Sequence, residues 1–440
     1  MTIPFRNIRQ LLSLQAKVAP DKVFLKTRVS QDKWEELTYA EFNARAHQAA
    51  NLLHTDFDVQ AGDGVTIIDD EPADVMVLLM ACWLIGAVAV PLSAEEPGEV
   101  ATHQLSHTDA KVCLIRQRYL PDWQNAVQSH WDENVRHIWQ ASAIVQLGGP
   151  ADVRFPHFHT LVRSQPNTLL SDGAEPDLSS PALFIPNNSA TIFSKVSHLQ
   201  LLIAGDAFAS TQAISGNHRL LRYWPVPDQF QPYYSAAQAI NIFIATLLSG
   251  ASLMLNWRFK PDEFWRAVAG QRLHIACLEA GHLAQLVEFA QQQRAFGHPI
   301  YGTGVYQQDI KHLRHMLCSS NGLTSTLLQA VLSELPISVL VGYSRGVTAG
   351  FSCLFPWNVS WPEYRHWMFE HDGLCVGCPL DGYEIAIMDK DGSLLTAGEQ
   401  GELCLRGNIA NPADDGWLHT GESAYYLTDQ HNRSFVYLVT

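Results

Sequence analysis

Short apolar runs alternate with segments of helical length through the first three quarters of this chain, and this alternation limits the fold more than any other feature. The apolar runs include GVTIID (64–69), GAVAVPL (86–92), KVCLI (111–115) and ISVLVGY (337–343). Between them lie segments such as AEFNARAHQAANLLHT (40–55) and DEFWRAVAGQR (262–272). Such alternation predicts mainly parallel strands covered by helices, which is an α/β fold.

The pattern changes from about Val359 onward to short strands separated by tight turns. Three runs carry this change: YEIAIMDKDGSLL (383–395), QGELCLRG (400–407) and SFVYLV (434–439). The DKDG sequence between two alternating runs is a hairpin signal. We therefore expect a small β-rich part after the α/β part.

Composition and net charge limit the kinds of molecule that the chain is expected to bind. The chain has 440 residues, 47% of them hydrophobic, and is too long for one ordinary domain. It carries 29 Lys and Arg against 44 Asp and Glu, for a net charge of −15. No basic block is present to neutralise phosphates, which argues against a nucleic acid or an anionic membrane as partner. Small metabolites or a protein partner fit this balance better.

No segment of the sequence predicts a membrane span. The longest apolar run, from Val75 to Val90, is shorter than the roughly 20 residues that cross a bilayer. We interpret it as a buried helix leading into a strand. The first residues lack the layout of a secretory signal, so we expect a cytosolic protein.

The cysteines do not predict a metal site. Eight are spread along the chain, mostly in apolar contexts such as MACWL and KVCLI, which predicts reduced and buried thiols. Cys375 and Cys378 form a CxxC pair, but His366 and His371 lack the spacing of a zinc knuckle relative to it. We expect two cysteines in a loop that enters a strand.

Four stretches, in this order and spacing, resemble the large N-terminal domain of the adenylate-forming superfamily. The four stretches are LTYAEFNARAHQAANLL with the following GDGVTIID and LIGAVAVPL, then NWRFKPDEFW, VGCPLDGYEIAIMDKDGSLLTAGEQGELCLRG and DDGWLHTGES. That superfamily includes acyl- and aryl-CoA synthetases, luciferases and peptide-synthetase adenylation domains. The third stretch is the most specific part of the resemblance.

The resemblance implies a domain plan and an activity. It implies two layered α/β subdomains and a small β-barrel, which we place at 1–155, 181–350 and 351–440, with a connection at 156–180. Such proteins bind ATP and a carboxylic acid between subdomains, attach AMP to the acid, and mostly pass the acyl group to a thiol. A C-terminal lid with a catalytic lysine follows in the family, and we expect it to be absent here.

The phosphate loop departs from the family pattern. Where the family has a Ser/Thr/Gly-rich loop ending in Pro-Lys-Gly, this chain has PNNSATIFSKV (186–196), without glycine. Glycine lets backbone N–H groups close around phosphate oxygens. The resemblance leaves Ser189, Thr191 and Lys195 as donors to phosphate, although an ordinary strand-to-helix connection explains the same residues, and we favour it.

The magnesium position departs as well. In VLVGYSRGVTAG, aligned with the family's Gly-Tyr-Gly-x-Thr-Glu, Val347 stands where a glutamate helps to hold Mg²⁺. A valine side chain offers no oxygen to a hard cation. Tyr343 keeps the aromatic position that lies against adenine in the family; a tyrosine packed at the end of a buried strand is the alternative.

The ribose position is altered but keeps its charge. In DGWLHTGES, Glu422 stands where the family has the aspartate that binds both ribose hydroxyls. The additional methylene displaces the carboxylate and adds rotamer freedom. Weak ribose binding and loss of ribose binding both remain open.

Two functions follow from these departures. The first is an acyl-CoA synthetase-like domain with a degraded ATP/Mg site, impaired in adenylation, that binds an acyl group or a partner such as a carrier protein. The alternative is an active, AMP-forming ligase of a carboxylic acid whose lid is supplied in trans. We prefer the first, because nucleotidyl transfer depends on positioning and charge neutralisation.

Overall fold

A computed structural model of the chain describes residues 7–28, 33–92, 99–169, 176–186, 193–224, 234–256, 258–410 and 412–439. Its α-helices are α1 Ile8–Val18, α2 Tyr39–Thr55, α3 Pro72–Ile85, α4 Glu99–Leu105, α5 Leu120–Ser129, α6 Glu133–Ala141, α7 Phe158–Leu161, α8 His198–Thr211, α9 Tyr234–Ser249, α10 Pro261–Gln271, α11 Ala280–Ala295, α12 Ser325–Glu334 and α13 Trp361–Phe369.

The strands, in chain order, are β1 Val23–Arg28, β2 Trp34–Thr38, β3 Gly64–Ile68, β4 Val88–Leu92, β5 Ala110–Arg116, β6 Ala143–Leu147, β7 Pro181–Pro186, β8 Phe193–Ser197, β9 Arg219–Tyr223, β10 Ser252–Asn256, β11 Ile275–Leu278, β12 His315–Ser319, β13 Val339–Arg345, β14 Gly350–Leu354, β15 Leu374–Cys375, β16 Cys378–Pro379, β17 Tyr383–Met388, β18 Gly401–Gly407, β19 Leu418–Thr428 and β20 Ser434–Leu438. The chain divides into two compact units, Met1–Leu202 with Trp224–Ala239, and Ile203–Tyr223 with Ile240–Thr440.

The first unit contains a sheet with the order β6-β5-β3-β4-β7-β8. Its strands pair in parallel from β6 to β7, and only β7 and β8 are antiparallel. All residues of β3 and β4 are buried, as the apolar runs predict for strands covered on both faces.

The apolar run from Val75 to Val90 is a helix that leads into a strand, as predicted. It forms most of α3 and the start of β4. Gly86 ends α3 in a left-handed conformation, with φ of 75°, which glycine adopts without steric cost. The indole of Trp83 on α3 donates a hydrogen bond to the Ala182 carbonyl of β7 over 2.8 Å, so the helix is fixed against the sheet.

The second unit has a parallel array in the order β10-β9-β11-β12-β13, followed by β14 and β16 in antiparallel pairing. A separate antiparallel sheet has the order β15-β20-β19-β18-β17. The predicted fold class, α/β with mainly parallel sheets and a β-rich part, is confirmed. Closure of the β-rich part into a barrel is not seen: no pairing within the described ranges joins β15 to β17.

The hairpin predicted around DKDG is only partly correct. The chain turns at Asp389, whose side chain accepts hydrogen bonds from the backbone N–H groups of Asp391 and Ser393. The second run forms no strand and makes a single bridge, from Leu394 to Met388. The ladder partner of β17 is instead β18, which begins at Gly401.

The cysteines are free in this structure, as predicted, and all but Cys378 are buried. Cys375 and Cys378 end up in two short strands, β15 and β16, rather than in one loop before a strand. Gly377 between these strands has φ of 81°. The CxxC sequence is therefore a tight backbone turn between strands.

No helix in the described part of the chain is both long enough and apolar enough to cross a membrane.

Candidate functional site

The candidate site of the second unit is built at the carboxyl end of β13. Ligands of open α/β sheets bind outside the carboxyl ends of parallel strands. A 3-10 turn at Gly346–Thr348 follows β13 directly. The Thr348 hydroxyl oxygen accepts a hydrogen bond from the Arg345 backbone N–H over 3.0 Å and lies 2.6 Å from the Gly350 carbonyl oxygen, so the turn is fixed at both ends.

Arg345, the last residue of β13, connects the predicted aromatic and acidic positions. Its Nε donates to the Tyr343 hydroxyl over 2.9 Å. Its Nη2 donates to the Thr420 carbonyl over 2.7 Å and to Glu422 Oε1 over 2.6 Å. The side chains of Arg345 and Glu422 are 26% and 40% exposed, so this ion pair is only partly screened by water.

Tyr343 is covered by its surroundings. The residue is 3% exposed, and burial raises the pKa of its phenol to about 12. An aromatic ring that stacks on adenine needs a free face. In this conformation the ring offers little free face.

Glu422 lies on β19 and its segment is fixed to β18. The Thr420 hydroxyl donates to the Leu403 carbonyl over 2.7 Å and accepts from the Glu422 N–H over 3.1 Å. Gly421, with φ of 73°, donates its N–H to Glu402 Oε1 over 2.7 Å. These bonds place the Glu422 carboxylate beside Arg345.

Val347 occupies the turn after β13 and is half-buried. Its carbonyl oxygen accepts a hydrogen bond from the Ala410 N–H over 2.7 Å. The side chain at this position, where the resemblance places the Mg²⁺-binding glutamate, supplies no oxygen to a cation.

The predicted phosphate donors are only partly described. Lys195 lies in β8 of the first unit, exposed, paired with Phe184 of β7. Its ammonium lies 5.3 Å from the centroid of the Phe184 ring, a cation–π distance. Ser189 and Thr191 lie outside the described residues. Lys195 belongs to the first unit, whereas Tyr343 and Glu422 belong to the second.

Arg345 is the site residue that sequence reasoning missed. The motif VLVGYSRGVTAG assigns a position to Tyr343 and to Val347 but none to the arginine between them. A signal was present, because side chains at positions i and i+2 of a strand point to the same face. Tyr343 and Arg345 have that spacing on β13.

The fold is that of an adenylate-forming type of domain, and comparison with known proteins agrees. The family model of AMP-binding enzymes matches residues 12–182 and 207–411. The chain belongs to this family of AMP-binding enzymes.

Similar sequences and solved structures come from CoA ligases. Crotonobetaine/carnitine–CoA ligases of Escherichia coli and Citrobacter koseri are 24% and 23% identical over an alignment of 451 positions, which covers 96% of this chain and 78% of theirs. The N-terminal domain of FACL13 from Mycobacterium tuberculosis matches 99% of this chain and 100% of its own, with a TM-score of 0.76 and 19% identity. The anthranilate CoA ligase AuaEII, in complex with anthranoyl-AMP, matches 99% of this chain and 77% of its own, with a TM-score of 0.76 and 17% identity.

Proposed function

We propose that this chain is an acyl-CoA synthetase-like protein with a degraded ATP/Mg site, impaired in adenylation, that acts in the cytosol by binding an acyl group or a partner protein. One observation carries the proposal: the carboxylate of Glu422, at the ribose-binding position of the motif, is already paired with Arg345 over 2.6 Å.

The ion pair opposes nucleotide binding in two ways. A ribose hydroxyl that donates to Glu422 must displace or share the charge-assisted bond from Arg345, and such bonds are stronger than neutral ones. The Arg345 guanidinium also bonds the Tyr343 hydroxyl, which holds the phenol ring in its buried place. The carboxylate at the ribose position and the tyrosine at the adenine position are therefore both engaged by contacts within the protein.

The chemistry of adenylation is weakened independently of binding. Attack of a carboxylate on the α-phosphorus of ATP requires positioned donors and a divalent cation that neutralise the triphosphate. Val347 supplies no cation ligand in the turn after β13. Loss of one such electrostatic contribution costs about 3 kcal/mol of the barrier, or roughly a hundredfold in rate.

The acyl group is the ligand class that the relatives support. The similar sequences are named crotonobetaine/carnitine–CoA ligases, so by name they join crotonobetaine or carnitine to CoA. We propose that this chain retains affinity for a carboxylic acid, for the acyl group of a thioester, or for a carrier protein that presents one.

An active ligase is the second candidate, and one observation favours it. Glu422 keeps a carboxylate at the ribose position with 40% of its side chain exposed, so a nucleotide has access to it. Under this alternative a lid domain brings the lysine that the resemblance assigns to it, and a carboxylic acid is adenylated with ATP and Mg²⁺.

Three measurements on the full chain separate these candidates, the third being a thermal-shift series with acids and acyl thioesters. Calorimetry tests for binding of ATP with Mg²⁺, and pyrophosphate exchange tests for adenylation across a panel of carboxylic acids. Our proposal expects no exchange, together with a thermal shift caused by at least one acid or acyl thioester. Exchange with any acid contradicts it in favour of the ligase, and silence of the whole acyl panel removes the acyl-binding part.

A further inference from the structure

Strands β18 and β19 bring three metal-ligating side chains to one point. Cys404 and His419 are direct partners across the antiparallel pair, and Glu402 lies two residues before Cys404 on β18. The Cys404 Sγ lies 3.4 Å from His419 Nδ1, and this nitrogen lies 3.3 Å from Glu402 Oε2. One ligand atom from each residue lies within 4.8 Å of the others.

We propose that Glu402, Cys404 and His419 form a zinc-binding site. Zinc binds thiolate sulfur at about 2.3 Å and imidazole nitrogen or carboxylate oxygen at about 2.0 to 2.2 Å, in tetrahedral geometry. These lengths require sulfur-to-nitrogen and nitrogen-to-oxygen separations of about 3.5 and 3.3 Å. The separations in this structure, 3.4 and 3.3 Å, match those two edges of the tetrahedron.

The groups behind these ligands are arranged as zinc requires. Asp415 Oδ2 lies 2.9 Å from His419 Nε2, so an Nε2–H donor fixes the tautomer that leaves the Nδ1 lone pair free for a metal. Glu402 uses Oε1 to accept the Gly421 N–H over 2.7 Å, which orients Oε2 toward His419. Carboxylate–histidine–zinc arrangements of this kind raise the basicity of the imidazole ligand.

The cluster is packed against apolar residues on one side and exposed to solvent on the other. Cys404 is fully buried and packs with Ala386, Met388 and Trp417. Glu402 and His419 are 35% and 37% exposed. Three protein ligands and one open side fit a zinc ion whose fourth ligand is water.

A metal-free interpretation of the same residues assigns Cys404 no role. In that interpretation His419 is an imidazolium between the carboxylates of Asp415 and Glu402, and Cys404 is an ordinary core thiol. The two interpretations differ in whether sulfur bonds to an added metal ion, which spectroscopy detects directly.

The test uses the reduced, metal-free full chain and titrates it with Zn²⁺ against a chromophoric chelator, and separately with Co²⁺. We expect one equivalent of Zn²⁺ and a thiolate-to-cobalt charge-transfer band. Cys404→Ser should abolish the band and weaken zinc binding by about 100-fold, and Asp415→Asn, at an exposed residue behind the ligand, by about 10-fold. His419→Gln provides a second ligand variant on the exposed side, in case Cys404→Ser fails to fold.

Cys378→Ser is the matched control, because Cys378 is half-buried and lies outside the cluster. It should leave both the zinc affinity and the cobalt band unchanged. Absence of zinc binding, a cobalt complex without the sulfur band, or loss of binding in Cys378→Ser with retention in Cys404→Ser would each overturn the proposal.

Discussion

The Arg345 guanidinium and the Glu422 carboxylate form an ion pair of 2.6 Å between the end of β13 and the middle of β19. The two residues lie 77 positions apart in the chain. The same guanidinium also bonds the Tyr343 hydroxyl. One arginine therefore holds both residues that the family motifs assign to the nucleoside.

Replacing Arg345 should free the nucleoside position. In Arg345→Met, Glu422 loses its ionic partner but keeps an exposed carboxylate, so we expect the affinity for AMP to rise by about tenfold, which corresponds to about 1.4 kcal/mol. That gain is comparable to the strength of a partly exposed ion pair. Calorimetric titration with AMP measures it.

The matched control for this substitution is Arg406→Met. Arg406 forms an exposed ion pair with Glu384 between β18 and β17, which belong to a different sheet from β13. Its loss should leave AMP affinity unchanged. A decrease in AMP affinity in Arg345→Met would show instead that Arg345 binds the ligand itself.

Arg116 of β5 should be essential for the stability of the first unit. Its guanidinium donates to both Asp69 oxygens, over 2.8 and 2.7 Å, and to Asp74 over 2.7 Å. Asp69 is buried, so Arg116→Met leaves a buried carboxylate without its cation and should cost about 3 to 5 kcal/mol of unfolding free energy. Urea denaturation measures this loss.

Arg154→Met is the control for Arg116→Met. Arg154 pairs with Asp152 in the same unit, but its side chain is 69% exposed. The expected cost is below about 1 kcal/mol. Equal losses in the two variants would contradict the role assigned to the buried network.

The layered α/β part could be predicted from sequence because its signal is local. Buried parallel strands are continuous apolar runs, and the predicted runs at β3, β4, β5 and β13 are strands in the structure.

Strand pairing in the β-rich part was harder to predict from sequence. The run after DKDG has the composition of a strand, but the edge of β17 pairs with β18 instead, and strand partners are not a local property.

The two side-chain clusters of the second unit, around Arg345 and around His419, could not be predicted from sequence for the same reason. Tyr343 and Glu422 were recognised by motif, whereas their link through Arg345 depends on β13 and β19 being brought together by the fold. Cys404 and His419 become neighbours only through the register of β18 and β19, which shifts between Glu402 and Cys404. A register that contains an irregularity cannot be read from alternation of residues.

The CxxC turn depends on its glycine. Gly377 has φ of 81°, and a Cβ at this position would lie 2.2 Å from the Leu354 backbone carbon. Gly377→Ala therefore combines backbone strain with a clash against main chain that cannot rotate away, and we expect a loss of about 3 kcal/mol or more. Thermal denaturation of the variant measures this loss.

Gly392→Ala is the control that separates the cost of backbone strain from the cost of a steric clash. Gly392 has a similar φ of 79°, but nothing lies within 4 Å of its added Cβ. The expected cost is about 1 kcal/mol, from the positive φ alone. A Gly377→Ala variant as stable as Gly392→Ala would contradict the close approach at Leu354.

His315 of β12 should make the protein less stable in mild acid. It is 3% exposed, and burial, followed by the nearby charges of Arg314 and His218, lowers the pKa of its imidazole from 6.5 to about 3. The unfolded chain takes up a proton below pH 6.5 that the folded chain does not. Stability from this group is therefore complete above pH 6.5 and falls by about 1.4 kcal/mol per pH unit from there toward pH 3.

Replacing His315 tests this dependence, since His315→Gln removes the titrating group while keeping a polar side chain of similar length. Between pH 7 and pH 5, the unfolding free energy of the variant, measured by urea denaturation, should fall by about 2 kcal/mol less than that of the unmodified protein. Part of the fall should persist, because burial also lowers the pKa values of His198 and His282 to about 4.

His366→Gln, at an exposed residue of α13, controls for the effect of a His-to-Gln substitution itself. Parallel pH profiles for His315→Gln and the unmodified protein would show that the imidazole of His315 gains a proton in the folded state as easily as in the unfolded one.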